Sequence, residues 1–356
     1  MTAPPFDRVV VDREVLERRF TRLLAERLPP GMGLTVRRPG DPRPPGRRTL
    51  HVCREPGRFL KPCPCSPGVV RCGYRVLTLG FQCPFRCTYC FLRFYAPDEP
   101  LTVYANLEDA GRELREAARA WDGPVRLGTG EFTDSLALDP WTGHARWLRE
   151  QVAGLPGVLL ELKTKSDRVE GLLELPPLPN LVAAWSLNPP ERIRADEPGT
   201  APLEARLRAA AAVARAGYRV AFHFDPVVLE EGWEEAYRGV VEALFDAVDP
   251  GRVAWVSLGT LRFPRRFLER WGPALRGRRA FFGELVPGTD GKLRYFWPLR
   301  LGAYRFLHRE LRRLGGEDLR IYLCMETREM WAAALGTEPG PEGDVERWLG
   351  GWPPSQ

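Results

Sequence analysis

A chain of 356 residues with 44% hydrophobic and 28% charged side chains can bury a large core in one or two domains, which excludes a small disulfide-stapled secreted module. No apolar run is long enough to span a membrane, and the first eight residues lack the apolar core of a signal peptide, so a cytoplasmic location with reduced thiols is expected. The net charge of +6 is compatible with a polyanionic partner but does not require one.

The segment 1–73 is rich in Pro, Arg and Cys and is interpreted as an N-terminal extension. It contains a helical pattern at 13–27 and a Pro- and Arg-rich loop at 42–48. Four cysteines lie toward its end, at Cys53, Cys63, Cys65 and Cys72. They are interpreted either as free thiols or as ligands of a second metal, although Cys63 and Cys65 are closer in sequence than the usual zinc-binding pairs.

From residue 74 onward, apolar runs of strand length alternate with helical patterns, which predicts a parallel sheet over 74–265. The predicted strands are 74–81, 125–130, 158–165, 181–188, 218–228 and 252–260. The predicted helices between them are 107–121, 141–153, 168–175, 202–216 and 233–248.

Three cysteines follow the first predicted strand with the spacing C-x3-C-x2-C, at Cys83, Cys87 and Cys90. A structural zinc ion needs four protein ligands, and an iron–sulfur cubane is normally held by four thiolates. With three thiolates, one iron of a [4Fe–4S] cluster is open to a small molecule. Zinc binding and unliganded thiols are the alternatives to this interpretation.

This spacing resembles the motif of the radical S-adenosylmethionine (SAM) enzymes. The resemblance implies a partial (β/α)6 TIM-type barrel with N- and C-terminal extensions, a [4Fe–4S] cluster, and SAM bound at its open iron. In these enzymes an electron from the cluster splits SAM to give a 5′-deoxyadenosyl radical. The resemblance also places Tyr89 beside the adenine.

Polar residues follow the apolar strands at the ends where a barrel of this type collects its active site. The predicted cofactor-binding residues are Gly130, Glu131, Thr133, Lys165, Ser186 and Asn188. Gly130 would allow a close backbone approach, Glu131 would receive the SAM ammonium, and Lys165 would pair with its carboxylate. His223 is interpreted equally well as a core residue or as a ligand.

The remaining segment, 266–356, departs from the repeat and is interpreted as a C-terminal extension covering the barrel. Residues 281–296 are predicted to form a loop closing over the barrel, with helices at 299–314 and 326–335. Cys324 ends an apolar, strand-like run and is either a core thiol or a residue facing the active site.

Within the radical SAM enzymes, residues 75–265 resemble spore photoproduct lyase and its relatives. The similar stretches, in order, are 104–108, 133–134 with Asp139, 164–165, 186–188, 197–200, 216–218, Pro226, 231–234 and 262–263. The resemblance implies radical repair of a thymine dimer in DNA, in which a cysteine, with tyrosines beside it, returns hydrogen to the product radical.

The sequence departs from that family at two of the three positions of the hydrogen relay. The family cysteine corresponds to Glu131, which has no S–H, and the tyrosine after the motif corresponds to Phe91, which has no O–H. Tyr89 is kept, and Cys324 is the candidate replacement donor. Tyr89 and Cys324 are therefore the predicted catalytic residues.

The predicted function is that of a radical SAM, carbon–carbon lyase-like enzyme. Its predicted partners are SAM, DNA, and an electron donor such as flavodoxin or ferredoxin, with no membrane partner. One alternative keeps the radical chemistry on a different substrate. A second is a non-enzymatic module that binds zinc and nucleic acid.

Overall fold

The computed structural model describes residues 3–288, 290–340 and 344–350. The strands are β1 (Arg8–Asp12), β2 (Leu34–Arg37), β3 (Thr49–Cys53), β4 (Leu60–Pro62), β5 (Arg75–Leu77), β6 (Gly80–Phe81), β7 (Leu101–Tyr104), β8 (Val125–Gly128), β9 (Val158–Thr164), β10 (Leu181–Ser186), β11 (Arg219–Val227), β12 (Val253–Thr260), β13 (Arg262–Pro264), β14 (Leu285–Pro287), β15 (Lys292–Tyr295) and β16 (Ile321–Leu323).

Helices of very different lengths connect these strands. They are α1 (Arg19–Glu26), α2 (Leu92–Tyr95), α3 (Leu107–Ala120), α4 (Asp139–Thr142), α5 (His144–Ala153), α6 (Glu170–Leu173), α7 (Pro190–Asp196), α8 (Leu203–Arg215), α9 (Trp233–Ala247), α10 (Arg265–Trp271), α11 (Trp297–Gly315), α12 (Arg328–Leu335) and α13 (Asp344–Gly350). Among the described residues, no helix combines the length and the apolar character that a membrane crossing requires.

The main sheet has eight strands in the order β16-β12-β11-β10-β9-β8-β5-β4. Seven of these strands are parallel to one another, namely β5, β8, β9, β10, β11, β12 and β16. The edge strand β4 runs antiparallel to β5. The predicted half-barrel of parallel strands is therefore confirmed, and it is longer by one strand at each edge.

The central strands are apolar because both of their faces are covered. Every residue of β10 and β12 is buried, and Trp185 and Trp255 are fully enclosed. The alanine-rich α8 packs on β10 and β11, and it ends before Gly217, whose positive φ of +100° suits a helix terminus. Burial of each large apolar side chain contributes about 1.5–3 kcal/mol, so this layer holds the strand ends in fixed positions.

The single strand predicted at 74–81 is wrong, because the chain turns within it. β5 belongs to the main sheet, whereas β6 pairs with β7 in a second sheet of order β2-β1-β3-β7-β6. The backbone N–H of Thr78 bonds the carbonyl of Phe59, and the carbonyl of Leu79 accepts from Tyr104. This change of sheet directs the chain into the cysteine motif.

Three parallel strands in the N-terminal extension, β1 to β3, were not predicted from the sequence. Each is short and is separated from the next by loops rich in Pro, Gly and Arg. The predicted helix at 13–27 is shorter and is α1 alone, after a 3-10 turn at Arg13–Val15. The predicted closing loop at 281–296 is partly a hairpin, β14–β15, which pairs with β13 in a third sheet. The helices predicted at 299–314 and 326–335 are confirmed as α11 and α12.

Candidate active site

The cysteine motif lies in a loop between β6 and α2 that neighbouring elements hold by its backbone. The N–H groups of Arg86 and Thr88 bond the carbonyls of Pro198 and Asp196, at 3.0 and 2.8 Å. On the other side, the guanidinium of Arg47 donates to the carbonyls of Cys83 and Phe85, both at 3.1 Å. The loop is therefore anchored on two sides before any ligand binds.

The three thiols of the motif suit a cluster better than a single metal ion. Cys87 is buried, and Cys83 and Cys90 are half-buried. Among the described residues, the one set of three potential ligand atoms within 4.8 Å of one another is Asp12, His51 and Cys53, so the motif sulfurs are more widely spaced. Two sulfurs on one tetrahedral zinc would be roughly 3.8 Å apart, whereas a cubane spaces its ligands further.

One cavity of about 560 Å³ joins the motif to the strand ends. Seven of the eight cysteines line it, all except Cys53. Five of the six predicted cofactor residues also line it, namely Gly130, Glu131, Thr133, Lys165 and Ser186. Both predicted catalytic residues, Tyr89 and Cys324, are on its wall. A fold of parallel strands thus brings together residues that are up to 261 positions apart in the chain, from Cys63 to Cys324.

The best-connected part of the site is a group that we call the Glu197 hub, consisting of Glu197, Tyr89, Lys165, Asn188 and Arg206. Glu197 is buried and accepts hydrogen bonds from the other four side chains. Lys165 Nζ is 3.2 Å from its Oε1, and Asn188 Nδ2 is 2.8 Å from the same oxygen. The hub therefore fixes Tyr89 and Lys165 where they meet the cavity.

The charges of the hub compensate the cost of burying a carboxylate. Burial alone raises the pKa of Glu197, but the positive charges of Lys165 and Arg206, with hydrogen bonds from Tyr89 and Asn188, lower it to about 2. Burial raises the pKa of Tyr89, and the charge of Glu197 adds to that effect. Glu197 is thus a carboxylate and Tyr89 a neutral phenol at physiological pH.

Asn188 lies behind the cavity wall, and both ends of its amide are in use. Its Nδ2 donates to Glu197, and its Oδ1 accepts from the Tyr237 hydroxyl at 2.7 Å. Ser186 lines the cavity and is buried, and its backbone carbonyl accepts a hydrogen bond from Arg206. Asn188 is therefore placed to act through Glu197 rather than by touching a ligand.

The turn after β8 carries three of the predicted cofactor residues and is held by Asp134. This carboxylate accepts from the backbone N–H of Lys165 at 2.8 Å and from the Thr164 hydroxyl at 2.6 Å. A Cβ on Gly130 would lie 2.9 Å from Lys163 Cβ, so no larger residue fits there without displacement. The glycine observed at this position thus allows two strand ends to approach each other.

A deeper part of the wall pairs buried charges of opposite sign. His223 and Glu161 are 2.5 Å apart, and the positive charges around Glu161 lower its pKa to about 2 against the opposing effect of burial. His223 therefore has a carboxylate partner and is not a free ligand. Arg262 pairs with Asp225 at 3.0 Å, and its Nη2 is 3.7 Å from Cys324 Sγ.

Of the two interpretations of the four upstream cysteines, a second metal site is not supported, because the four thiols do not converge. Cys53 lies with Asp12 and His51 at the ends of β1 and β3. Both oxygens of Asp12 are already bonded to Arg37. The other three thiols face the cavity, where Cys63 and Cys65 have their sulfurs 3.5 Å apart.

Four arginines surround the cysteine loop and form a positively charged rim. They are Arg47, Arg86, Arg93 and Arg278, and burial together with the charges of the other three lowers the pKa of Arg93. Arg86 is exposed, and Arg93 stacks on Trp271 at 4.6 Å. Arg278 is paired with Asp196, and the other three guanidinium groups leave an excess of positive charge that favours anions.

Sequence reasoning missed Glu197, Arg206 and Arg47 as site residues. Glu197 follows α7, a short helix that begins with Pro190 and that we did not predict. The signal that could have located Glu197 was the stretch 197–200, which resembles the family, and the proline at the first position of α7 could have located the helix before it. Arg47 lies in the loop 42–48 and looked like any solvated basic residue.

Comparisons with known proteins agree with this geometry. A family model described as spore photoproduct lyase matches residues 72–264. Spore photoproduct lyase of Bacillus subtilis (strain 168) is 31% identical over 173 residues, and that match spans 47% of this chain and 49% of the relative. Spore photoproduct lyase of Geobacillus sp. (strain Y412MC61) is 27% identical over 255 residues, 70% of this chain and 72% of the relative.

A solved structure is similar over almost its whole length. It is a variant of spore photoproduct lyase with bound AdoMet and dinucleoside spore photoproduct, and it covers 90% of this chain and 98% of its own. The TM-score is 0.75 at 22% sequence identity, so this likeness concerns the fold. Because the family model covers more than half of the sequence, the chain belongs to the spore photoproduct lyase family.

Proposed function

We propose that this chain is a radical SAM lyase that repairs the spore photoproduct in DNA. The observation that carries the proposal is the single cavity in which the three motif thiols meet the Glu197 hub in a chain of this family. Related proteins carry the name of this activity, and one solved structure similar in fold holds both AdoMet and a dinucleoside of the photoproduct.

Cys83, Cys87 and Cys90 would hold a [4Fe–4S] cluster. The residues fit such a group, because three thiols and no other protein ligand leave one iron open, and because the sulfurs are too widely spaced for one shared ion. When bound, the cluster and SAM would supply the 5′-deoxyadenosyl radical. The protein contributes the anchored loop and a half-enclosed cavity that limits access of water.

The Glu197 hub would orient SAM. Lys165 presents its ammonium to the cavity while Glu197 fixes its position, so it can pair with the SAM carboxylate. The ring of Tyr89, beside the third motif cysteine, would lie against the adenine, because its hydroxyl is directed at Glu197. Gly130, Glu131, Thr133 and Ser186 complete the wall toward the same ligand.

The substrate would enter across the arginine rim, which suits the phosphates of DNA. The rim is also where an acidic flavodoxin or ferredoxin would reach the cluster loop. Glu131 and Phe91 lack the S–H and O–H groups that the family resemblance implies there. The hydrogen returned to the product would then come from another cavity thiol, and Cys324 is the one expected from the sequence.

Two alternatives are not favoured by the family assignment. One is a radical SAM enzyme with an unrelated substrate, and the other is a zinc- and nucleic-acid-binding protein without activity. The second alternative predicts zinc on the cysteines, whereas the eight thiols divide between the cavity and the distant Cys53.

Anaerobic reconstitution with iron and sulfide tests the proposal. We expect a brown protein that forms 5′-deoxyadenosine when SAM and dithionite are added, measured by liquid chromatography and mass spectrometry. A colourless protein that retains zinc and leaves SAM intact would contradict the proposal and support the non-enzymatic alternative.

A further inference from the structure

Cys63 and Cys65 form a pair of thiols in contact in the lining of the cavity. Cys63 follows β4, and the backbone N–H of Cys65 bonds the carbonyl of Cys63 at 2.7 Å, which makes a tight turn. This turn brings the two sulfurs within 3.5 Å of each other. Both side chains are half-buried and line the same cavity as the motif cysteines.

The pair lines the same cavity as Glu131, the residue that the family resemblance matches to the family cysteine. The carboxylate of Glu131 acts to raise the pKa of both Cys63 and Cys65, so its charge is near each sulfur. The charged neighbours of Cys324 are Asp225, on β11, Arg262, which begins β13, and Lys163. Glu131 is thus among the charges that act on Cys63 and Cys65, and it is not among those named for Cys324.

The state of the two sulfurs suits a donor of hydrogen atoms. Their mutual hydrogen bond raises the pKa of Cys63 and lowers that of Cys65 to about 7. Near neutral pH, Cys63 therefore keeps its S–H bond, while Cys65 is partly a thiolate. A thiolate in contact can share the unpaired electron that remains on sulfur once the S–H bond has broken.

Reversal of a thymine dimer conserves its atoms, so a hydrogen atom removed at the start must be returned at the end. Glu131 cannot return it, because its bonds to hydrogen are too strong for a carbon radical to break. We infer that the Cys63–Cys65 pair is the hydrogen donor of the repair reaction, replacing the thiol that is missing at position 131. This inference rests on the proposed function.

The transfer balances without a further reactant. The S–H bond of Cys63 breaks, a C–H bond forms on the product, and the unpaired electron moves from carbon to sulfur. The sulfur radical then joins the Cys65 thiolate in a three-electron S–S bond, with no electron gained or lost. One electron from the dithionite in the assay and one proton from water restore the starting pair.

Repair in D₂O tests the inference, because thiol hydrogens exchange with solvent. With dinucleoside spore photoproduct, the unaltered protein should place one deuterium in the repaired product. We expect the C63S/C65S variant to incorporate about tenfold less deuterium into the repaired product, since a serine O–H bond is too strong to break. The variant should still cleave SAM. C53S removes a cysteine outside the cavity and is the matched control.

Two further variants locate the donor. In the C63S/C65S background, Glu131→Cys should restore deuterium transfer, because it puts a thiol back at the family position. Undiminished transfer in C63S/C65S would overturn the inference, and loss of transfer in C324S alone would assign the donor to Cys324. An unaltered protein that forms no 5′-deoxyadenosine would contradict the proposed function itself, and with it this inference.

A second measurement does not depend on turnover. In cluster-loaded protein with SAM but without dithionite, we expect dinucleoside spore photoproduct to slow iodoacetamide modification of Cys63 and Cys65 several-fold. Peptide mass spectrometry reports the rate at each cysteine. Equal rates with and without the photoproduct would mean that the substrate does not cover the pair, and would also overturn the inference.

Discussion

Two parts of the cavity wall differ in how many hydrogen bonds their carboxylates accept. In the Glu197 hub, one buried carboxylate accepts from four side chains. Elsewhere in the lining of the cavity, Cys63, Cys65 and Glu131 form what we call the thiol wall. Within the part of the chain that the structure describes, the Glu131 carboxylate accepts no hydrogen bond, and the two neighbouring thiols bond mainly to each other.

This difference indicates which positions of the cavity wall tolerate substitution and which do not. A buried network loses much of its stability when one member is removed, because the others remain desolvated without partners. A half-buried thiol lacks that constraint. The residues proposed to bind the cofactor are therefore those of the hub, while the departure from the family that the resemblance implies lies on the thiol wall, at Glu131.

The largest expected effect comes from removing the three motif cysteines, which are the proposed ligands of the cluster. The triple change of Cys83, Cys87 and Cys90 to Ala should abolish iron binding and 5′-deoxyadenosine formation, because it removes all three proposed ligands of the cluster. Circular dichroism should remain unchanged, since the loop is held by backbone hydrogen bonds. Iron and SAM cleavage that persist in this variant would show that the motif assignment is wrong.

Breaking the hub should destabilise the fold itself. Glu197→Ala leaves the buried Arg206 without its counter-charge, and the half-buried Lys165 as well, so we expect a loss of about 3–5 kcal/mol in the free energy of unfolding. Urea unfolding of the cluster-free protein measures it. Glu191→Ala on the same α7 removes an exposed pair with Arg194 and should change stability by less than about 0.5 kcal/mol. Equal losses in the two variants would contradict the role of the hub.

The hub should also give stability a specific pH dependence. The pKa of Glu197 is lowered in the folded protein to about 2, from an ordinary value of 4.5. Its contribution, about 3 kcal/mol, is fully present above pH 4.5 and is lost as the pH falls toward 2. The stability difference between the unaltered protein and Glu197→Gln should therefore shrink below about pH 4.5. A difference independent of pH would refute a charged Glu197.

A smaller effect is expected from the side chain that links the hub to the cavity. Lys165→Ala should weaken SAM binding about tenfold while the cluster remains, because one charge-assisted contact is lost and Arg206 still neutralises Glu197. Equilibrium dialysis with the cluster-loaded protein measures this affinity. Lys61→Ala, on β4 and outside the cavity lining, is the control. Equal affinities in all three proteins would remove Lys165 from the site.

The sequence predicted the cofactor side of the cavity better than the thiol wall. Parallel strands place their carboxyl ends at one edge, so Lys165 and Ser186 could be brought together from the strand pattern alone. Glu197 could not be placed in this way, because it follows the seven-residue helix α7 and not a strand. Its role also depends on four partners that lie in different parts of the chain. The Cys63–Cys65 pair reaches the cavity through the antiparallel pairing of β4 with β5, two strands of three residues with no readable alternation.

The most direct test of the central claim is to incubate the reconstituted protein with SAM, dithionite and dinucleoside spore photoproduct, and to measure the repaired dinucleoside by mass spectrometry. We predict that the photoproduct is converted to the unlinked pair of thymidines, with formation of 5′-deoxyadenosine. A protein that cleaves SAM equally fast with and without the photoproduct, and leaves the photoproduct intact, would contradict the account.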